Sequence, residues 1–121
     1  MTQGLKYDLE DRTATFGEDV IAFCKGVGQN PVTTPLVSQL VRSATSIGAN
    51  YCEADDAGSK KEFRHRISLC KREARETKHW LRMIAAADPG LKEETKSLWQ
   101  EAKELHLIFG KIFRTSSGAK E

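Results

Sequence analysis

The sequence is poor in several things, and each shortage removes a class of protein. Its three cysteines, Cys24, Cys52 and Cys70, are far apart, odd in number and form no Cys-x-x-Cys pair. That argues against a disulfide framework and against a thiolate zinc site. No run approaches the roughly 20 apolar residues that a membrane span requires, and the opening MTQGLKYDLEDR has no apolar signal-peptide core. The expectation is a reduced, cytoplasmic protein with no membrane partner. Alternating β-branched runs are missing, so no strand is predicted and no glycine-rich phosphate loop follows one. Nor is there an excess of either charge: 19 basic against 17 acidic residues leave a net +2. Any basic character must therefore be local.

What is present suits one soluble domain spanning residues 1–121, with 39% hydrophobic and 30% charged residues. Proline and glycine punctuate the chain at KGVGQNPVTTP, DDAGS and DPGL. Between these breaks lie four segments of helical period, predicted at about 8–27, 35–55, 59–88 and 91–115. The first carries Phe16, Val20, Phe23 and Val27. Thr34 is the expected N-cap of the second, with Pro35 at its first position, where a missing N–H costs nothing. Its stripe is Val37, Leu40, Ala44, Ile47, Tyr51 and Ala54. The third opens with a capping box, Ser59 to Glu62, and extends for roughly 45 Å along Phe63, Ile67, Cys70, Ala74, Thr77, Leu81 and Ile84. The fourth repeats the spacing with Leu91, Thr95, Leu98, Ala102, Leu105, Phe109 and Ile112, before a polar tail, TSSGAKE, expected to fray. Short connections and stripes near a 3.5-residue period predict an all-α antiparallel up-and-down four-helix bundle.

The second segment is odd. Between Pro35 and Ala54 it carries two charges, Arg42 and Glu53, against thirteen between Ser59 and Asp88. Such a helix is expected to be covered on more than its core face, and Ala44, Gly48 and Ala49 would let another helix come close. Arg42, Ser46, Asn50 and Glu53 share an arc of about 80°. One reading makes this the central helix of a monomeric bundle. The preferred reading buries its outer face against a neighbouring subunit, with Arg42 and Glu53 in ion pairs and Asn50 in a buried hydrogen bond.

On the third segment, Lys60, Arg64, Lys71, Arg75, Lys78 and Arg82 fall in one stripe beside the core seam. Glu62, Glu73 and Glu76 lie on the opposite flank among Leu69, Trp80 and Met83. Flanks of opposite character can pair head to tail with a copy, a contact that generates a ring when the rotation closes. A solvated charged face explains the same residues.

These residues carry a family resemblance. RSATSIGANYCEA and KEFRHRISLCKREARETKHWLRMI resemble the four-helix-bundle proteins encoded in intervening sequences of bacterial large-subunit ribosomal RNA genes. More distantly, they are similar to the accessory variability determinant of diversity-generating retroelements. The likeness spans roughly Pro35 to Arg114, and the residues before Thr33 inherit little from it. It implies a bacterial bundle that assembles as a homopentameric ring, without recognised catalytic activity, and a link to nucleic acid or ribonucleoprotein. Arg42, Asn50, Glu53, Glu73, Glu76 and Trp80 stand at the family's patterned positions.

Three chemistries suit a helical bundle with these residues. A di-metal bundle needs Glu-x-x-His motifs on two helices. Glu62–His65 and Glu76–His79 have the spacing, but they lie on one helix about 21 Å apart and their histidines project away from the seam. A cysteine nucleophile would require Cys70 to leave an apolar seam. Neither metal, cofactor nor catalysis is therefore expected. Nucleic-acid binding remains: the stripe offers phosphate contacts that a ring would multiply. The near-neutral total charge counts against it, as does the lack of an evident exposed aromatic set. The expectation is a non-enzymatic scaffold or adaptor that contacts RNA, DNA or a nucleic-acid-handling protein. A protein-binding or purely structural ring is the alternative.

Overall fold

A computed structural model describes residues 8–118 of the chain. They form α1 (Leu9–Lys25), α2 (Thr33–Asp55), α3 (Lys60–Ala87), a single 3-10 turn (Pro89–Leu91) and α4 (Lys92–Gly118), with no strand among the described residues. The helices begin and end where local chemistry satisfies free backbone groups. Glu10 and Asp11 occupy the first turn of α1 and Lys25 its last, matching the helix dipole at both ends. Ser59 caps α3 by accepting from the Glu62 backbone N–H at 3.1 Å. The return half of that box differs from expectation, because the Glu62 carboxylate accepts from Gly58 N–H rather than from Ser59. Asp88 then stops α3 and accepts from Gly90 N–H, turning the chain into α4.

Two boundaries correct the sequence reading. Thr34 does not cap α2. The Asn30 side chain accepts from the N–H groups of Val32 and Thr33, and Thr33 Oγ1 accepts in return from Asn30 N–H. Asn30 C=O also receives the Thr34 N–H, so the reciprocal box sits four residues earlier than predicted, with Pro31 immediately after it. Asn-Pro and Thr-Pro are both plausible starts, and the deciding bonds run through the loop. At the other end α4 runs through Gly118, three residues past the predicted end at 115; residues 119–121 lie outside the described part.

The predicted stripes meet in one core. Phe16, Val20, Leu40, Ala44, Ile47, Ile67, Cys70, Ala74, Leu81, Ile84, Ala102, Leu105 and Phe109 are all buried, and Phe63, Tyr51 and Ile112 pack around them. A fully buried Leu, Ile or Phe contributes about 1.5–3 kcal/mol. α2 packs most extensively on α3 and α3 on α4; α1 lies on α2 and touches α4 only lightly. Along α2 and α3 the partners run in opposite order, Ser43 meeting Thr77, Ile47 meeting Cys70 and Asn50 meeting Arg66. α2 therefore lies between α1 and α3, which accounts for its low charge. An added Cβ at Gly48 would stand 3.2 Å from Thr13 Oγ1, and one at Gly17 would stand 3.6 Å from Thr45. The small residues of α2 admit α1 of the same chain.

Candidate nucleic-acid interface

α3 has two flanks that meet different surroundings. On the α2 side Arg42 donates to Glu73 at 3.2 Å and also reaches Glu76. Trp80 Nε1 donates to the same Glu76 oxygen at 3.0 Å. That bond, aided by Arg42, holds the Glu76 carboxyl below its usual range. Glu73 is buried although charged, so its pairing with Arg42 offsets a desolvation cost. Asn50 Oδ1 accepts from Arg66, and Ser46 bonds back to the Arg42 carbonyl. Glu53 is exposed. The polar residues expected to meet a neighbouring subunit thus find partners within one chain, except Glu53.

On the α4 side the six basic residues keep their charge unpaired. Among the described residues the ion pairs are those of Arg42 and those of Arg12 with Glu101 and Glu104, and none involves Lys60, Arg64, Lys71, Arg75, Lys78 or Arg82. Glu73 and Glu76, expected as the acidic complement of that stripe, are engaged by Arg42 instead. Lys60, Arg75 and Arg82 are exposed, while Arg64, Lys71 and Lys78 are half-buried against α4. The Arg64 guanidinium lies 4.0 Å over the Phe113 ring, and Lys78 Nζ lies 5.5 Å from the Trp99 ring. Lys103 approaches Trp99 from α4 itself at 5.7 Å. Between them a cavity of about 240 Å³ is lined by Ser68, Lys71, Arg72, Arg75, His106 and Phe113. Burial, then the charges of Lys78, Lys71 and Arg75, hold His106 below its ordinary value.

His106, Trp99 and Phe113 were not singled out by the sequence reading. Their signal was present as a spacing of seven along α4, but nothing in the sequence says which α3 residues stand opposite. His65 and His79 are exposed, as expected from their projection. No group of three or more metal-ligating side chains comes together among the described residues. Burial pushes the Cys70 thiol up to about 12 and the Cys24 thiol to about 11, which leaves both as un-ionised apolar side chains near neutral pH. No helix among the described residues is long and apolar enough to cross a membrane.

Fold and surface together define a small all-α protein whose charge is organised along one helix. The chain belongs to the 23S rRNA-intervening sequence protein family, whose profile matches residues 7–111. It is similar in fold to a crystal structure of a protein of unknown function from the S23 ribosomal protein family of Bacteroides thetaiotaomicron. The TM-score is 0.76 at 24% identity, over 87% of this chain and 94% of that one. No curated protein matches the sequence.

Proposed function

We propose that the protein is a non-enzymatic scaffold, an antiparallel up-and-down bundle that assembles as a homopentameric ring in the cytoplasm and presents the α3 stripe to nucleic-acid phosphates. The observation that carries this reading is that, among the described residues, none of Lys60, Arg64, Lys71, Arg75, Lys78 and Arg82 enters an ion pair, while Glu73 and Glu76 on the other flank of α3 are paired with Arg42. Six cations along one flank repel one another, a cost that phosphate contact would reverse. The family's description, which refers to ribosomal RNA, is consistent with such a partner. Self-association is supported by the groove between α1 and α2, where Ala14, Gly17, Ile21, Ala49 and Cys52 form an apolar floor flanked by Glu10 and Glu18. Ile21 there is 42% exposed.

The reading is tested by titrating structured RNA and duplex DNA at two salt concentrations, alongside light scattering coupled to gel filtration. Binding should weaken steeply with salt. Arg75→Glu with Arg82→Glu, both exposed, should weaken it about tenfold or more and make the salt slope shallower by roughly one to two. An intact assembly whose binding ignores these substitutions removes the stripe as the nucleic-acid face. No binding even at low salt leaves a protein-binding or purely structural ring, and a mass near 13.5 kDa removes the ring.

A further inference from the structure

The stripe facing α4 contains an inner column, Arg64, Lys71 and Lys78, in steps of seven, and α4 carries Trp99, His106 and Phe113 in the same steps. The fold sets the two columns against each other in opposite order. Arg64 lies over Phe113, Lys71 shares a cavity with His106, and Lys78 faces Trp99. Two of the pairings, Arg64 with Phe113 and Lys78 with Trp99, set a cation beside a flat ring, and between them Lys71 and His106 line one cavity. Seven residues advance a helix by about 10.5 Å, so the three rungs cover a groove of roughly 21 Å.

We propose that this α3–α4 groove is a track for single-stranded nucleic acid, in which unstacked bases lie against Phe113, His106 and Trp99 while Arg64, Lys71 and Lys78 hold the phosphates. The proposal rests on the reading that the stripe meets phosphates and specifies which form of nucleic acid it takes. A duplex keeps its bases stacked inside and offers the groove only its backbone. A single strand brings a phosphate and a π-face together, the two groups that each rung is built to receive. All three rings are half-buried; the Arg64 guanidinium lies over one face of Phe113, and Lys78 and Lys103 stand near Trp99, so a base would stack beside these cations.

The details of the rungs agree with this use. Burial, then the charges of Lys78, Lys71 and Arg75, lower the His106 pKa, a direction that favours the uncharged ring lining the same cavity as Lys71. On its own helix Lys103 stands one turn earlier, while Glu101 and Glu104 are drawn to Arg12 of α1. Glu101 and Glu104 thus face α1 and stand away from the ring column. Arg64 Nε is enclosed without a hydrogen-bond partner, its guanidinium lies over Phe113, and no carboxylate among the described residues pairs with it. Packing alone would be served at least as well by an apolar pair at each rung, because an exposed cation–π contact is worth only about 0.5–1 kcal/mol.

The test compares an unstructured RNA of about 15 nucleotides, DNA of the same sequence, and the corresponding duplex by fluorescence anisotropy. Both single strands should bind about tenfold tighter than the duplex. Trp99→Leu with Phe113→Leu keeps apolar bulk but removes two π-faces; helicity is checked by circular dichroism. It should weaken single strands about tenfold and leave the duplex unchanged. A second readout uses Trp80→Phe, which leaves Trp99 as the remaining tryptophan, and single-stranded RNA should quench its emission on saturation. Equal or tighter duplex binding overturns the track, as does a folded double variant that binds single strands normally or an unquenched Trp99. In those cases the stripe stands as a plain phosphate face. If no nucleic acid binds at low salt, the broader reading falls with it.

Discussion

Arg42→Ala is the most direct probe of how α3 divides its charges. Arg42 is 46% exposed at the side chain, whereas Glu73 is 10% exposed and Glu76 33%. Loss of the guanidinium therefore costs little at the arginine itself, where solvent screens the charge. The penalty falls on Glu73, a nearly enclosed carboxylate left without its cation. Breaking a fully buried pair costs about 3–5 kcal/mol and losing an exposed one about 0–1. With one partner enclosed and the other half open, about 2 kcal/mol is expected, equivalent to a melting temperature lower by roughly 8 °C for a chain of this length. Glu73→Gln removes the stranded charge, so the double variant Arg42→Ala with Glu73→Gln should recover about half of the loss. Differential scanning calorimetry of the four proteins completes the cycle. An Arg42→Ala protein that melts within about 1 °C of the parent, or a double variant no more stable than Arg42→Ala, refutes the idea that Arg42 compensates a buried charge.

Two further substitutions probe neighbouring contacts. Trp80→Phe removes the main cause of the lowered Glu76 pKa. A depressed carboxyl adds stability above its unfolded value, near 4.5, and loses it as pH falls through the folded value. The parent should thus lose melting temperature more steeply than Trp80→Phe on acidification below that point, and parallel curves would contradict the assignment. Gly17→Ala should stabilise by about 0.5–1 kcal/mol, since its Cβ meets only ordinary contacts and the helix gains propensity. Gly48→Ala should gain nothing or lose stability, because Thr13 Oγ1, bonded to the Leu9 carbonyl, must give way. Equal rises in melting temperature would mean that α1 does not sit tightly on α2.

The core was legible in the sequence because it obeys a local rule. Leu40, Ile67, Leu81 and Phe109 sit on stripes that helical periodicity predicts without reference to any partner, and each is buried. Ser59 and Glu62 carry their own capping chemistry within four residues. Three features escaped because they depend on register between helices. Arg42 and Glu73 are 31 residues apart, and nothing local says that a charged residue beside the Ala74 seam will be enclosed. Ser43 is tolerated in the core because its hydroxyl lies 2.9 Å from that of Thr77 across the α2–α3 contact. The ring column on α4 is regular in sequence, yet its meaning arises only when α3 is laid against it. The start of α2 failed for a different reason: Asn30 and Thr33 outcompete Thr34 through bonds inside the loop.

The separation of charge on α3 follows from what its two neighbours offer. α2 brings a single arginine where two carboxylates need compensation, and Trp80 supplies one more donor to Glu76. α4 brings rings, which can shield a lysine or arginine stem without cancelling its charge. A stripe neutralised by carboxylates would pack α3 to α4 just as well, but it would present no field to solvent. One groove of three rungs would hold a strand only modestly. In the proposed ring the same groove recurs on every subunit, so a strand that leaves one track has the next within reach, and avidity raises the retention without any new contact. Weak individual grooves are then no obstacle to firm binding, provided the ring spaces them within the strand's span.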